Sequence, residues 1–300
     1  MHHATIFWRF IIPLTLLCCA ILLIFSTLSQ GTASVMLAKI FKRFVSGPPS
    51  NPQAPEGHRL YAIGDIHGRL DLLEGLLAQI RTDDMARGEP KAELIFLGDV
   101  INRGPHSAQV IDRLIALKAA CPETRFLLGN HEEIFLSALN GDRKALRFFD
   151  RIGGAEAILS YGITPQAYEA ADFDELAAML QAVVPTAHRT FLESFENMIV
   201  EGDYVFVHAG IRPGVPLKEQ KPTDLRWIRD EFLCASGTKD RPLIPGAIVV
   251  HGHTIFNEVV EHPGRIGLDT GAYRSGILTA MAFESDKRWT LQQKSQIAAT

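Results

Sequence analysis

Cysteine is scarce in this chain, with four in 300 residues. Cys18 and Cys19 are adjacent inside an apolar run, and Cys121 and Cys234 stand alone. No CxxC and no framework spacing occurs, which excludes a disulfide-stapled scaffold. The pattern reads as two buried thiols, Cys121 and Cys234, in a reducing compartment. No sign of charge dominates either. Lys and Arg total 30 against 34 Asp and Glu, a formal net charge of −4. A chain without a basic field is not expected to take nucleic acid as its partner. Internal repeats are absent as well.

Long uncharged runs are rare, and the one present lies at the N-terminus. Ile11 to Leu28 carries no charge and has the length of a membrane-span candidate. Arg9 is the only Lys or Arg before it, whereas Lys39, Lys42 and Arg43 follow. That bias places the C-terminal side in the cytoplasm, with residues 11–28 as a tether to the membrane. Met36 offers a second start of ordinary appearance, which would make residues 1–35 an artefact of start-site choice. A cleaved signal is the third reading. The first two both leave the remainder cytoplasmic.

Ser46 to Glu56 holds four prolines and no apolar periodicity, so residues 36–57 read as a linker. Residues 58–290 read as one domain and 291–300 as a tail. Five short apolar runs recur in the domain, namely 60–63, 94–97, 126–128, 204–207 and 248–250. Their brevity and continuity fit strands buried on both faces. Helical patterns follow the first three, at Leu70 to Ile80, Val110 to Leu117 and Ile134 to Leu139. Asp172 to Val184 and Thr186 to Met198 are further predicted helices. Alternating strand and helix predicts an α/β fold with a largely parallel sheet. Ile266 to Phe283 is richer in strand character, which points to a second, mixed sheet.

Ligands of open α/β sheets bind beyond the carboxyl ends of the strands. Here those ends carry Asp65, His67, Asp99, Asn130, His131, His208, His251 and His253. Singly, each fits a cap or a turn. Together they are carboxylate, carboxamide and imidazole donors, a set that suits manganese, iron or zinc. They are too many for one ion, so two divalent transition metals about 4 Å apart are expected. Gly64, Gly98 and Gly129 each precede a candidate ligand at a sharp strand exit.

Five blocks occur in order: Gly64-Asp-Ile-His-Gly68, Gly98-Asp-Val-Ile-Asn-Arg-Gly104, Gly129-Asn-His-Glu132, His208-Ala-Gly210 and Gly252-His-Thr254. They resemble the signature of the phosphoprotein phosphatase branch of the calcineurin-like metallophosphoesterases, in its bacterial and phage form. The resemblance implies a four-layer α/β/β/α sandwich with mixed sheets. It implies Asp65 and His67 on a first metal, Asp99 bridging, and Asn130, His208 and His253 on a second. His131 would be the general acid, and Arg103 and Arg229 would hold phosphate. Asn102 stands where the family usually has an aspartate paired with that histidine. An asparagine can bond the ring but brings no charge.

The implied reaction is attack on phosphorus by a metal-bridging hydroxide, with no phosphoenzyme. Phosphoserine or phosphothreonine proteins lead as substrates, and small phosphoesters are open to the same chemistry. Symmetrical hydrolysis of dinucleoside tetraphosphates is the alternative. A membrane-tethered, non-catalytic metal-binding protein is the third reading. His251 is expected to orient a ligand from behind, as is Asp269. Glu132 is expected to orient a neighbour or to favour a helix start. Arg69, His106, His58, His188 and His262 are expected at the surface. Substrate choice is expected in loops at Asn140 to Pro165 and Arg212 to Pro245.

Overall fold

The structure is a computed structural model, and it describes residues 52–90, 92–235 and 243–295. The apolar run 11–28 lies outside the described residues. Among the described residues, no helix is long and apolar enough to cross a membrane.

Among the described residues, ten strands form two five-stranded sheets. The first holds β1 (Arg59–Ile63), β2 (Ala92–Phe96), β3 (Arg125–Phe126), β9 (Ile277–Glu284) and β10 (Lys287–Lys294), in the order β10-β9-β1-β2-β3. The second holds β4 (Met198–Glu201), β5 (Tyr204–Val207), β6 (Ile248–His251), β7 (Val260–His262) and β8 (Arg265–Gly267), in the order β4-β5-β6-β8-β7. In the first, β1, β2 and β3 are parallel, and β9 and β10 extend the sheet beside β1 through antiparallel pairings; in the second, β5, β6 and β8 are parallel, with β4 and β7 antiparallel at the two edges. All five apolar runs became strands, and all five lie in the parallel parts.

Side-chain alternation builds the layers. Leu60, Ala62, Ile95 and Leu97 face Tyr204, Phe206, Val250 and Ile266 between the sheets. Tyr61, Ile63, Leu94 and Phe96 point the other way, onto the helices. These include α1 (Leu70–Arg87), α2 (Ser107–Ala120) and α3 (Asn130–Leu139). On α1 the buried stripe is Leu72, Leu73, Leu76 and Ile80, and Gly88 at φ 72° ends the helix. Each such side chain contributes about 1.5–3 kcal/mol on burial. Behind the second sheet, Val205, Val207 and Val249 pack on Leu225, Ile228 and Phe232. The result is the expected four-layer arrangement of two mixed sheets.

Several expectations shift. Residues 143–160 are not a loop but α4 (Arg143–Phe149), a π-turn (Asp150–Gly154) and α5 (Ala155–Ser160). Asp142 caps α4 by accepting from the amides of Lys144 and Ala145, and Leu146, Phe149 and Ile158 are buried. The paired glycines 153 and 154 hide this helicity in the sequence; Gly153 sits at φ 99° inside the π-turn. Four more helices follow: α6 (Pro165–Ala170), α7 (Phe173–Val183), α8 (Thr186–Glu193) and α9 (Pro222–Trp227). After them come α10 (Asp230–Leu233) and α11 (Ala272–Ser275).

The end of the predicted linker is fastened down. Ala54 is buried, its N–H donates to the Ser285 carbonyl, and Tyr204 Oη donates to the Pro52 carbonyl. The predicted tail begins inside β10, which runs to Lys294. Cys121 and Cys234 are exposed rather than buried. His188 is buried, not at the surface, and bridges Tyr161 (3.1 Å) and Asp112 (2.8 Å). Arg69 is also ordered: it grips Asp71 with two bonds and donates to the Ala272 carbonyl.

Candidate metal centre

The carboxyl ends of β1, β2, β5 and β6 meet at one edge of the sandwich. Beyond them lie Asp65, His67, Asp99, His208 and His253, all buried. Asn130 and His131 join from the first turn of α3.

The backbone there is strained. Six non-glycine residues have positive φ among the described residues, and five are His67 (49°), Asp99 (49°), Asn102 (72°), Arg103 (68°) and His253 (62°). Each costs about 1–2 kcal/mol relative to a right-handed conformation. Such strain persists only where surrounding structure enforces it, and it clusters at functional sites. Gly98, at φ 99°, permits a close approach: a Cβ there would lie 2.8 Å from His208 Nδ1 and from the Gly129 amide.

Glu132 does the enforcing. Its carboxylate accepts from the backbone N–H groups of Asp99 (2.8 Å), Val100 (2.9 Å), Ile101 (3.2 Å) and Gly129 (3.1 Å). It therefore ties the strand exit of β2 to the start of α3. Burial and the Asp99 charge push its carboxyl up to about 7, while the amide donors favour its anion.

Asp99 is the hub. Its Oδ2 lies 3.4 Å from His208 Nε2, 3.7 Å from His67 Nε2 and 3.8 Å from His131 Nε2. Among the described residues, two groups of donors lie within reach of one ion each: His67, Asp99 and His131, and Asp99, His208 and His253. Asp99 belongs to both. Burial opposes its charge, but His208 and His131 outweigh that and hold its carboxyl well below the usual range. Asp65 accepts from the His253 N–H at 3.0 and 3.2 Å. Burial, Asp269 and Asp99 together raise its pKa well above the ordinary value. Asp269, whose Oδ1 accepts from the Gly271 N–H at 2.8 Å, is pushed up to about 6 by burial.

The imidazoles are held in one tautomer. His67 Nδ1 donates to the Ile101 carbonyl and His208 Nδ1 to the Leu97 carbonyl, each at 2.8 Å. That leaves both Nε2 lone pairs turned inward, as a metal requires. Asn130 Oδ1 lies 3.0 Å from His208 Nε2. His253 Nε2 is buried without a hydrogen-bond partner, and burial lowers its pKa to about 2. A crowd of buried carboxylates and inward lone pairs, one of them orphaned, fits divalent cations and little else.

His131 departs from expectation. Its Nε2 accepts from Arg103 Nη2 at 3.2 Å. Its Nδ1 and both side-chain atoms of Asn102 are buried without hydrogen-bond partners. The expected Asn102–His131 bond is therefore not made; the Asn102 backbone N–H instead donates to Ser107 Oγ, and the residue sits in the left-handed region. Burial lowers His131 to about 4, and Arg103 and Arg229 push the same way against Asp99. Arg103 is anchored by its own N–H to the Gly153 carbonyl (2.8 Å) and lies 4.5 Å above the Tyr273 ring. Arg229 is exposed, and its charge reaches both His131 and His253.

His251 is not behind a ligand. Strand β6 ends at His251, so alternation does not carry to His253, which turns away at φ 62°. The His251 ring sits between Phe232 and Phe256, its Nδ1 donating to the Gly252 carbonyl. Tyr273 escaped the sequence reading. It meets the His67 ring edge-on at 5.3 Å, and only its place after Asp269-Thr-Gly271 hinted at it.

With this geometry in view, the comparisons are consistent. The calcineurin-like phosphoesterase family matches residues 58–269. A symmetrical bis(5'-nucleosyl)-tetraphosphatase of Methylococcus capsulatus is 34% identical over 51% of this chain and 44% of its own length. One from Acidovorax ebreus is 32% identical over 59% and 49%. The chain thus aligns with about half the length of these relatives. The asymmetrical tetraphosphatase PrpE of Anoxybacillus flavithermus is 27% identical over 74% of this chain and 89% of its own. These names match the alternative substrate expectation, not the phosphoprotein phosphatase branch. Two solved structures share the fold. One is a protein serine/threonine phosphatase from Saccharomyces cerevisiae, at TM-score 0.52 and 15% identity over 83% of this chain and 86% of that one. The other is a cold-active protein tyrosine phosphatase, at TM-score 0.53 and 17% identity over 82% of each. With the match over residues 58–269, the fold and the donor cluster together, this chain belongs to the calcineurin-like phosphoesterases.

Proposed function

We propose that the chain hydrolyses the phosphoanhydride of dinucleoside polyphosphates. The observation that carries this reading is the surroundings of His131. Its Nε2 accepts from a guanidinium, and no carboxylate is hydrogen-bonded to its Nδ1. A histidine so placed is a poor proton donor. Leaving alkoxides need a proton, and acid catalysis contributes about 10²–10⁴-fold when one is supplied. A nucleotide phosphate leaves as a stable anion and needs none. The same observation weakens phosphoserine and phosphothreonine as substrates. The names of the relatives support the anhydride reading independently.

Two divalent cations, held by Asp65, His67, Asp99, Asn130, His208 and His253, would supply Lewis acidity and an activated water. Asp99 belongs to both donor groups, which supports a shared role. Arg103 and Arg229 bind phosphoryl oxygens, for which the guanidinium fork is suited. Glu132 keeps Asp99 in its strained conformation. In the reaction, water oxygen bonds to phosphorus and the bridging phosphorus–oxygen bond breaks. The leaving nucleotide keeps the electron pair, and the water proton passes to solvent.

The test is a substrate panel with the purified chain and added manganese. Diadenosine tetraphosphate is expected to have a higher kcat/KM than a phosphoserine peptide. ADP as sole product indicates symmetrical cleavage; AMP with ATP indicates asymmetrical cleavage. A phosphopeptide preferred over the dinucleotide would overturn the reading.

A further inference from the structure

Beside the metal centre, one pair of aromatic rings has no part in its ligands or in the main cores. Trp227, the last residue of α9, and Phe148 of α4 stand with ring centroids 6.0 Å apart at 36°, both half-buried. They come from segments far apart in sequence. The Trp227 ring is held in place: the indole N–H donates to Glu133 Oε2 at 2.6 Å, and Arg226 pairs with the other oxygen of that carboxylate at 3.2 Å. Glu133 is two residues beyond His131 on α3.

Positive charge gathers around the same rings. The Arg151 guanidinium lies 5.2 Å above Phe148. Arg229, two residues beyond Trp227, extends its charge to His131 and His253. Arg103 is bound to the π-turn that follows Phe148. The rim next to the phosphate-binding arginines therefore carries two half-buried aromatic rings flanked by cations. A base joined through ribose to a polyphosphate presents the matching features, a π-face and a string of anions.

We propose that Trp227 and Phe148 form the nucleobase subsite of the polyphosphate substrate, with Arg151 beside it. The inference rests on the function proposed above and adds the residues that distinguish a nucleotide from a bare polyphosphate.

The experiment compares kcat/KM for diadenosine tetraphosphate with that for inorganic tetrapolyphosphate, which has the anhydrides but no base. The ratio is taken within each preparation, so partial misfolding cancels. Trp227→Leu and Phe148→Leu are each expected to lower the ratio about tenfold, the scale of one lost base stack. Trp227→Phe keeps a stacking face without the N–H and is expected to retain most of the ratio. A ratio unchanged in both leucine variants would overturn the subsite. So would equal losses in Trp227→Phe and Trp227→Leu, which would assign the effect to the Glu133 bond.

A second measurement separates this inference from the function itself. ADP and pyrophosphate are compared as inhibitors of aryl phosphate hydrolysis. ADP is expected to inhibit more strongly, and the leucine variants are expected to lose that advantage. If the wild-type chain cleaves no dinucleotide but shows the ADP advantage, the proposed function fails and the subsite stands. If it cleaves the dinucleotide and ADP has no advantage, the subsite fails alone.

Discussion

The two halves of the metal centre are built differently. The half supplied by the first sheet, Asp65, His67 and Asp99 with the loop to Arg103, includes four of the five left-handed site residues. Its segment Asp99 to Ile101 is held by one carboxylate, Glu132, which also accepts from the Gly129 amide at the start of α3. The half supplied by the second sheet and α3 has one left-handed residue, His253. His208 sits at the end of a regular strand and Asn130 in the first turn of a helix. The strained half depends on a buried polar network, so it should fail when one member is lost. The relaxed half depends on packing between sheets and should fail locally.

Asp99 joins the halves, and its loss has the largest expected effect. In Asp99→Ala, metal analysis should find neither equivalent retained, and kcat/KM should fall by at least about 10³-fold, the scale of a lost transition-state partner. His253→Ala should keep one equivalent. If Asp99→Ala also keeps one, the carboxylate is not shared and the two halves are independent.

Glu132→Ala tests the strained half and its tie to the start of α3. It orphans four amides that have no other acceptor within the network. At about 1–3 kcal/mol for each buried donor left unsatisfied, denaturant titration should show a loss of at least about 3 kcal/mol. His208→Ala, in the relaxed half, should cost less. The reverse order would show that strain is not concentrated where the backbone angles place it.

Asn102→Asp probes the same half more gently. A carboxylate beside His131 favours its protonated ring. Turnover of a phosphoserine peptide should rise about tenfold, the lower part of the acid-catalysis range, and its alkaline limb should move up. Diadenosine tetraphosphate should change little, because its leaving group needs no proton. Equal change on both substrates would uncouple residue 102 from His131.

The smallest effect is expected behind the relaxed half. Burial lowers His251 to about 3, below the ordinary value near 6.5 for an unfolded histidine. The folded state then binds fewer protons, so stability present above pH 6.5 is lost as pH falls towards 3. One such group contributes a slope of at most about 1.4 kcal/mol per pH unit. His251→Leu should reduce the slope of unfolding free energy between pH 4 and 6 by up to that amount. An unchanged slope would mean the ring is already accessible to protons.

Much of this was legible in the sequence because it depends on local order. Short apolar runs ending in Asp, Asn or His specified β1, β2, β3, β5 and β6, since a strand buried on both faces needs apolar residues at every position. The same runs placed the donors, because a strand exit puts its next residues at one edge. Tertiary structure alone decided the rest. Alternation along β6 ends at His251, so His251 and His253 face different surroundings, a fact set by where pairing with β8 stops. Helicity in 143–160 was masked by Gly153 and Gly154, whose turn is stabilised by Arg103 from another segment. Three of the four amides that Glu132 accepts from are 31 to 33 residues away. The Trp227–Phe148 pair joins residues 79 positions apart (227 − 148). Sequence determined which donors the chain carries and at which edge they emerge. Folding decided which of them meet, because distance in space between segments is set by packing and not by spacing along the chain.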